Sequence, residues 1–337
     1  MTSKITLIFA AALLLAAILI FNLVVMAAEM PLAEIAATLW RGEADTYQQS
    51  VLLYQQIPRS LIAIYVGATT AVSGCVLQGL VRNPLASPST LGLNAGATLF
   101  VIAGALVFDF SPEVQGLVAL AGAGFGFAAC FFVARLAGRS NDPRGLSLIL
   151  SGALVSMLLI GVTNALLLSN PTRRAEFLSW VGGNINHVYA ERLFDFWWIG
   201  AIALVILWAV ARPLTLVLLG AEKAASAGVN VTRISRIALF ATMLASGSAV
   251  AICGPIGFVG LIVPHMIRPL VGVNFTLALP ASALVGAGLC VLADLGAQTL
   301  FAPYVVNTGL FMDLLGGLVF IVIVKRFYLS PSARGLS

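Results

Sequence analysis

Charge is scarce in this chain: Asp, Glu, Lys and Arg together make up 9% of its 337 residues, against 60% hydrophobic residues. A soluble domain carries roughly a quarter of its residues as charged side chains. A water-soluble fold is therefore excluded, and a polytopic membrane protein is indicated. Histidine occurs twice and cysteine four times. Cys75, Cys130, Cys253 and Cys290 each sit in an apolar run without paired spacing, so neither a disulfide framework nor a metal site is expected. No Gly-x-x-x-x-Gly-Lys-Ser/Thr phosphate loop occurs, so the chain is not expected to hydrolyse ATP alone, and no catalytic residue is assigned.

What is present is a series of long apolar runs. Crossing a bilayer takes about 20 residues of helix, because backbone groups in lipid must be satisfied internally. Ten segments qualify, near 4–26, 58–80, 90–107, 114–134, 146–168, 193–211, 234–253, 256–271, 276–300 and 305–324. The first apolar run is too long for a signal-peptide core and is read as a retained span. The expectation is an all-α, multi-pass chain forming one transmembrane domain over 1–337, with a first half near 58–168 and a second near 234–324.

Lys and Arg near short loops stay in the cytoplasm. With the N-terminus inside, Lys4, Arg82, Arg135, Arg139, Arg144, Arg212, Lys223, Arg233, Arg236, Arg268, Lys325, Arg326 and Arg334 face the cytoplasm, 13 of the 18 basic residues. Asp142 and Glu222 oppose them there. Outside, Arg41, Arg59, Arg173, Arg174 and Arg192 stand against nine acids from Glu29 to Asp195. Both termini are thus expected in the cytoplasm, and the net charge of +5 reflects topology, with no reason to invoke nucleic acid.

Between the halves lies a polar stretch, Arg212 to Arg236, with apolar residues at helical spacing and possible breaks at Gly220 and Gly228. Two short helices joined by a turn, near 212–233, are expected there. Such a pair could lie on a partner protein; an ordinary inter-helix loop is the bland alternative.

Gly92-x-x-x-Gly96 and Gly122-x-x-x-Gly126 fall inside spans, where they favour close helix packing and do not resemble a nucleotide fingerprint. The halves also echo each other. A span ending in small residues leads to a break and a short span at Ser73–Gly92 and again at Ser246–Gly260, an odd number of spans apart. Broken helices at matched positions of inverted halves are the sequence sign of a transporter.

Gln56–Arg59 (QIPR), Gln78, Arg82–Pro88 (RNPLASP), Gly254–Arg268 (GPIGFVGLIVPHMIR) and Leu292–Asp294 (LAD) together resemble the permease subunit of the ABC importers for ferric siderophores, haem and vitamin B12. The likeness covers almost the whole chain. It implies a ten-helix permease in a bacterial inner membrane that pairs with a second permease chain. Substrate would come from a periplasmic binding protein, and a cytosolic ATPase, holding ATP and Mg, would supply the energy. On this resemblance Gly220, Ala221, Glu222, Ala225, Gly228 and Arg233 contact the ATPase. Asn83, Pro84, Gly254, Pro255, Pro264, His265 and Arg268 belong to structural or pathway motifs. His265 is read as structural or ATPase-facing and not as a ligand. Asp294 is read as structural, and for Asp313 a pathway role and a structural hydrogen bond both stand.

The sequence also departs from the family. Arginines are common at the positions of Gln56, Arg59 and Gln298, where they face a binding protein, and only Arg59 is kept. Arg41, Arg173 and Arg174 are the substitutes for docking, and a partner chain with the full arginine set makes a heterodimer the favoured pairing. Ferric siderophore is the favoured cargo, with haem or B12 as alternatives. An ion-coupled secondary transporter and a non-transporting scaffold are the readings from other classes.

Overall fold

The computed structural model describes residues 2–27, 30–137 and 146–327. Glu29, Arg139, Asp142, Arg144 and Arg334, which enter the charge census, lie outside the described residues. Helices dominate, and no strand occurs among the described residues.

Helix α1 (Thr2–Met26) leads through a short helix α2 (Leu32–Arg41) to α3 (Tyr47–Val51), which runs through a π turn at Leu52–Gln56 into α4 (Ile57–Val81). Pro58 has no N–H to give the carbonyl one turn back, and the widened turn just before it absorbs that missing bond. There follow α5 (Leu93–Val107), α6 (Pro112–Leu136), α7 (Leu146–Ser169), α8 (Pro171–Val181) and α9 (Ala190–Ala209). The short α10 (Ala211–Leu218) and α11 (Ala221–Ser226) precede α12 (Val231–Cys253), α13 (Val259–Val271), α14 (Phe275–Thr299) and α15 (Thr308–Phe327). Seven helical segments are long and apolar enough to span a bilayer, and α5, α13 and Thr308–Val322 of α15 are shorter apolar helices. Together these match the ten expected segments. Helices α2, α3 and α8 lie outside the expected segments; Pro171 at the first turn of α8 is the kind of start signal that marks a helix.

Helix α4 is the hub. Ile62, Val66, Val72, Val76 and Leu77 are all buried, and it packs against α12, α13 and α14. Tyr65 of α4 joins Ser248 of α12 through their hydroxyls at 2.7 Å and accepts from the Gly200 N–H of α9 at 3.1 Å. The packing repeats between halves. Helix α4 lies on α14 as α12 lies on α6, α13 touches α4 as α5 touches α12, and α5 pairs with α6 as α13 pairs with α14.

Small residues make these approaches possible, because a missing side chain lets backbones meet. The two Gly-x-x-x-Gly motifs interlock: a Cβ on Gly96 would strike the Gly122 carbonyl, and one on Gly126 would strike that of Gly92. Gly67 meets Gly286 between α4 and α14 in the same way.

Candidate functional site

Two broken segments meet inside the bundle. The first joins α4 to α5. Arg82 ends α4 in the left-handed region, and Asn83 accepts the Leu85 N–H at 2.9 Å through its side-chain oxygen. Ser87 and Thr90 then bond each other reciprocally: the Ser87 N–H reaches Thr90 Oγ1 at 2.8 Å, and the Thr90 N–H reaches Ser87 Oγ at 3.2 Å. Asn94, in the first turn of α5, donates to Ser89 Oγ at 3.0 Å. Pro84 and Pro88 carry no N–H, so the motif closes a compact turn with its own polar groups and needs no partner strand or helix.

The second break, between α12 and α13, starts at Gly254 (φ 79°), and the Cys253 carbonyl beside it accepts the Asn184 N–H at 2.9 Å. It ends at Phe258, which caps α13 in the left-handed region (φ 60°), as Gly92 (φ 78°) caps α5. A side chain in that region costs about 1–2 kcal/mol. The Phe258 ring occupies the space that a Cβ on Gly316 of α15 would take, just as α7 brings Gly152 against the Thr90 carbonyl. The two breaks thus share a left-handed cap at the start of the following helix and a glycine of a neighbouring helix packed against the break.

Between the two breaks lies a cavity of about 270 Å³. Ser87, Ser89, Thr90 and Asn94 line one side, and Pro255, Gly257, Phe258 and Asp313 the other. Helices α5 and α13 both begin beside it, with the Leu93 N–H on the Pro88 carbonyl at 3.3 Å and the Val259 N–H on the Gly257 carbonyl at 2.7 Å. Asp313 makes no hydrogen bond or ion pair among the described residues. Its Oδ1 lies where a Cβ on Gly257 would stand. An unpaired carboxylate on a spanning helix costs about 2.5–3.5 kcal/mol unless it faces water or protein.

Asp294 has the opposite environment. Arg59 grips it with Nη2 to Oδ1 at 2.7 Å and Nε to Oδ2 at 3.2 Å, Gln298 Nε2 donates to Oδ2 at 2.8 Å, and Thr308 Oγ1 donates to Oδ1 at 2.7 Å. The carboxylate is buried and fully satisfied, and it ties α4, α14 and α15 together. This corrects one expectation. Arg59 is not an outward-facing docking cation; it is buried, because the cost of an intramembrane carboxylate is met by the guanidinium beside it. Gln298, read as a lost docking position, belongs to the same cluster, and Gln56 is buried too. Of the proposed substitutes, Arg173 is engaged with Asp109 at 2.9 Å and with the Ala105 carbonyl at 2.8 Å, while Arg41 and Arg174 are exposed.

At the other end of α4, the polar stretch forms the expected helix pair. Gly220 (φ 132°) separates α10 from α11. Gly228 (φ 78°) ends α11 with the Gly228 N–H on the Ala225 carbonyl and the Val229 N–H on the Ala224 carbonyl, both at 2.9 Å. That double bond pattern requires a left-handed residue, hence glycine. Asn230 then caps α12 by accepting the Arg233 N–H at 3.0 Å. Ala224 is buried, whereas Ala221, Glu222, Ala225, Gly228 and Arg233 are exposed. Helix α10 is anchored: Thr215 Oγ1 accepts the Phe275 N–H at 3.0 Å, and Arg82 donates to the Val217 carbonyl at 3.3 Å. Through Arg82 the helix pair touches the first break directly.

Pro264 cannot bond the Gly260 carbonyl, and Gln78 of α4 donates to the Gly260 and Leu261 carbonyls at 3.5 and 3.2 Å. The His265 ring folds back on its own helix, Nδ1 to the Leu261 carbonyl at 2.7 Å. Arg268 shares a smaller cavity, about 190 Å³, with Gln78, Arg82 and Leu218. Ser89 and Asn94, which line the main cavity, carry no signal in the linear sequence: serine and asparagine near a turn usually serve only the local backbone.

The profile of the FecCD transport family matches residues 13–326. The chain is 37% identical over 294 residues to the Fe(3+) dicitrate transport system permease protein FecD of Escherichia coli, covering 86% of this chain and 89% of that one. It is 33% identical over 288 residues to the Fe(3+)-citrate import system permease protein YfmD of Bacillus subtilis, covering 86% and 84%. Over 296 residues it is 33% identical to the hemin transport system permease protein HmuU of Yersinia pestis, covering 86% and 87%. A solved metal-chelate type ABC transporter in an inward-facing conformation superposes with a TM-score of 0.78 at 28% identity, over 95% of this chain and 99% of that one.

Proposed function

The chain belongs to the FecCD transport family, and from that premise we propose that it is the permease subunit of an ABC importer that carries a ferric chelate across a bacterial inner membrane. The observation that carries the reading is the cavity of about 270 Å³ where the two broken segments meet, since broken helices facing each other at matched positions are where transporters bind and pass cargo. The order of events is alternating access. Chelate arrives from a periplasmic binding protein, occupies the space between the breaks, and leaves when the two halves rock about α4.

ATP and Mg bind on a partner ATPase, which docks against α10 and α11 on the cytoplasmic side, where both termini also lie. Rigid short helices suit this task, because closure of the ATPase must be passed on as displacement and not absorbed as loop motion. The exposed Ala221, Ala225 and Gly228 offer a low-relief surface flanked by Glu222 and Arg233, and the Arg82 contact to the Val217 carbonyl leads from that surface to the first break. At the far end, Arg41 and Arg174 are the cations available to the binding protein. A second permease chain completes the path.

The test is reconstitution. Proteoliposomes containing the permease, its ATPase and its binding protein are expected to accumulate ferric chelate with ATP and not without it. Uptake that follows an ion gradient and ignores ATP would establish a secondary transporter instead.

A further inference from the structure

Asp313 is a departure within its own surroundings. Among the described residues that line the main cavity it carries the formal charge, and no lysine or arginine lines the cavity with it. A carboxylate on a spanning helix is sustained where it faces water, a polar guest or a protein partner. The cavity meets that condition with the hydroxyls of Ser87, Ser89 and Thr90 and the amide of Asn94. Gly257 leaves the space that Oδ1 fills, and the uncapped start of α13 next to it places the positive end of a helix dipole beside the carboxylate. The Asp313 carboxylate therefore lines the open volume with the start of α13 beside it.

We propose that Asp313 sets the charge selectivity of the cavity, so that the chain passes neutral or cationic ferric chelates and disfavours polyanionic ones such as ferric citrate. This rests on reading the cavity as part of the path. In a site walled by Val181, Phe258, Leu261 and Leu310 the charge is weakly screened, and a polyanion is repelled while an ammonium or N–H donor is held.

Thiol labelling of the assembled transporter reads the field directly, because Cys75, Cys130, Cys253 and Cys290 are all buried and give little background. Ser89→Cys and Leu310→Cys are each reacted with a cationic and an anionic methanethiosulfonate of similar size, and rates are normalised to a free thiol. Both sites are expected to favour the cationic reagent by roughly tenfold. Asp313→Asn is expected to abolish the preference and Asp313→Glu to keep it. Equal rates for the two reagents, a preference that survives Asp313→Asn, or no labelling at either site would each overturn the proposal. In the same proteoliposomes, Asp313→Asn is expected to raise uptake of ferric citrate relative to a neutral ferric trihydroxamate. Absence of ATP-driven uptake of every ferric chelate by the unmodified complex counts against the importer reading instead, and the labelling ratio still decides the charge assignment.

Discussion

The Arg59 guanidinium and the Asp294 carboxylate meet at 2.7 Å, with side chains only 8% and 5% exposed, across 235 positions of sequence. They join the start of α4 to the last third of α14, and Thr308 adds the start of α15. Removing one partner of a buried pair strands the other charge, whereas removing both leaves an apolar contact. Arg59→Met alone is expected to cost about 3–5 kcal/mol, and Arg59→Met with Asp294→Leu to be closer to wild type than either single change. Thermal unfolding in detergent measures the order; a double variant as unstable as the sum of the singles would show that the pair is not the unit.

Gly228 has open space around the position of a Cβ, so its need for glycine is conformational and not steric. Gly228→Val is expected to break the end of α11, leave the protein in the membrane, and uncouple ATP hydrolysis from uptake. Hydrolysis and uptake are measured in the same vesicles. Normal uptake by this variant would remove α11 from the ATPase contact.

Gly257 and Asp313 share one small volume. Gly257→Ala is expected to displace the carboxylate and depress uptake severalfold, and Asp313→Ala in the same chain to recover part of the loss, because the added methyl then has room. A double variant whose loss equals the sum of the Gly257→Ala and Asp313→Ala losses would mean that the two residues act independently.

For docking, the correction at Arg59 moves the prediction to Arg41 and Arg174. An exposed ion pair contributes about 0.2–1 kcal/mol, so Arg174→Glu is expected to lower affinity for the binding protein by a few-fold at most and to flatten its salt dependence. Arg173→Glu is expected to disturb the Asp109 and Ala105 contacts as well. Titrations at two ionic strengths separate the cases, and an unchanged salt dependence in Arg174→Glu would clear that residue of a docking role.

The topology rests on the 13 basic residues assigned to one side. Reporter fusions after Lys325 and within residues 169–192 are expected to report opposite sides of the membrane. Matching signals would remove the cytoplasmic placement of the termini, and with it the ATPase surface on α10 and α11.

Much of this was legible in one dimension because it depends on local chemistry. Apolar run length identified the spans, since a bilayer imposes the same minimum on each. Gly220 and Gly228 marked the ends of α11, since only the backbone at those positions decides whether a helix can stop there. The Gly-x-x-x-Gly motifs announced close packing, but not that Gly92 and Gly96 would mesh with Gly122 and Gly126, which depends on how α5 leaves the break. The charged side chains were the least legible. Arg59 and Asp294 each carry a plausible role alone, and whether a guanidinium reaches a binding protein or a carboxylate is settled by which helix face the fold turns inward. Asp313 is the mirror case: the same carboxylate chemistry, on a helix turned toward the cavity, is left unpaired. A sequence specifies which groups are costly to bury; only the tertiary arrangement decides whether that cost is met by a partner, as at Asp294, or kept facing an open volume, as at Asp313.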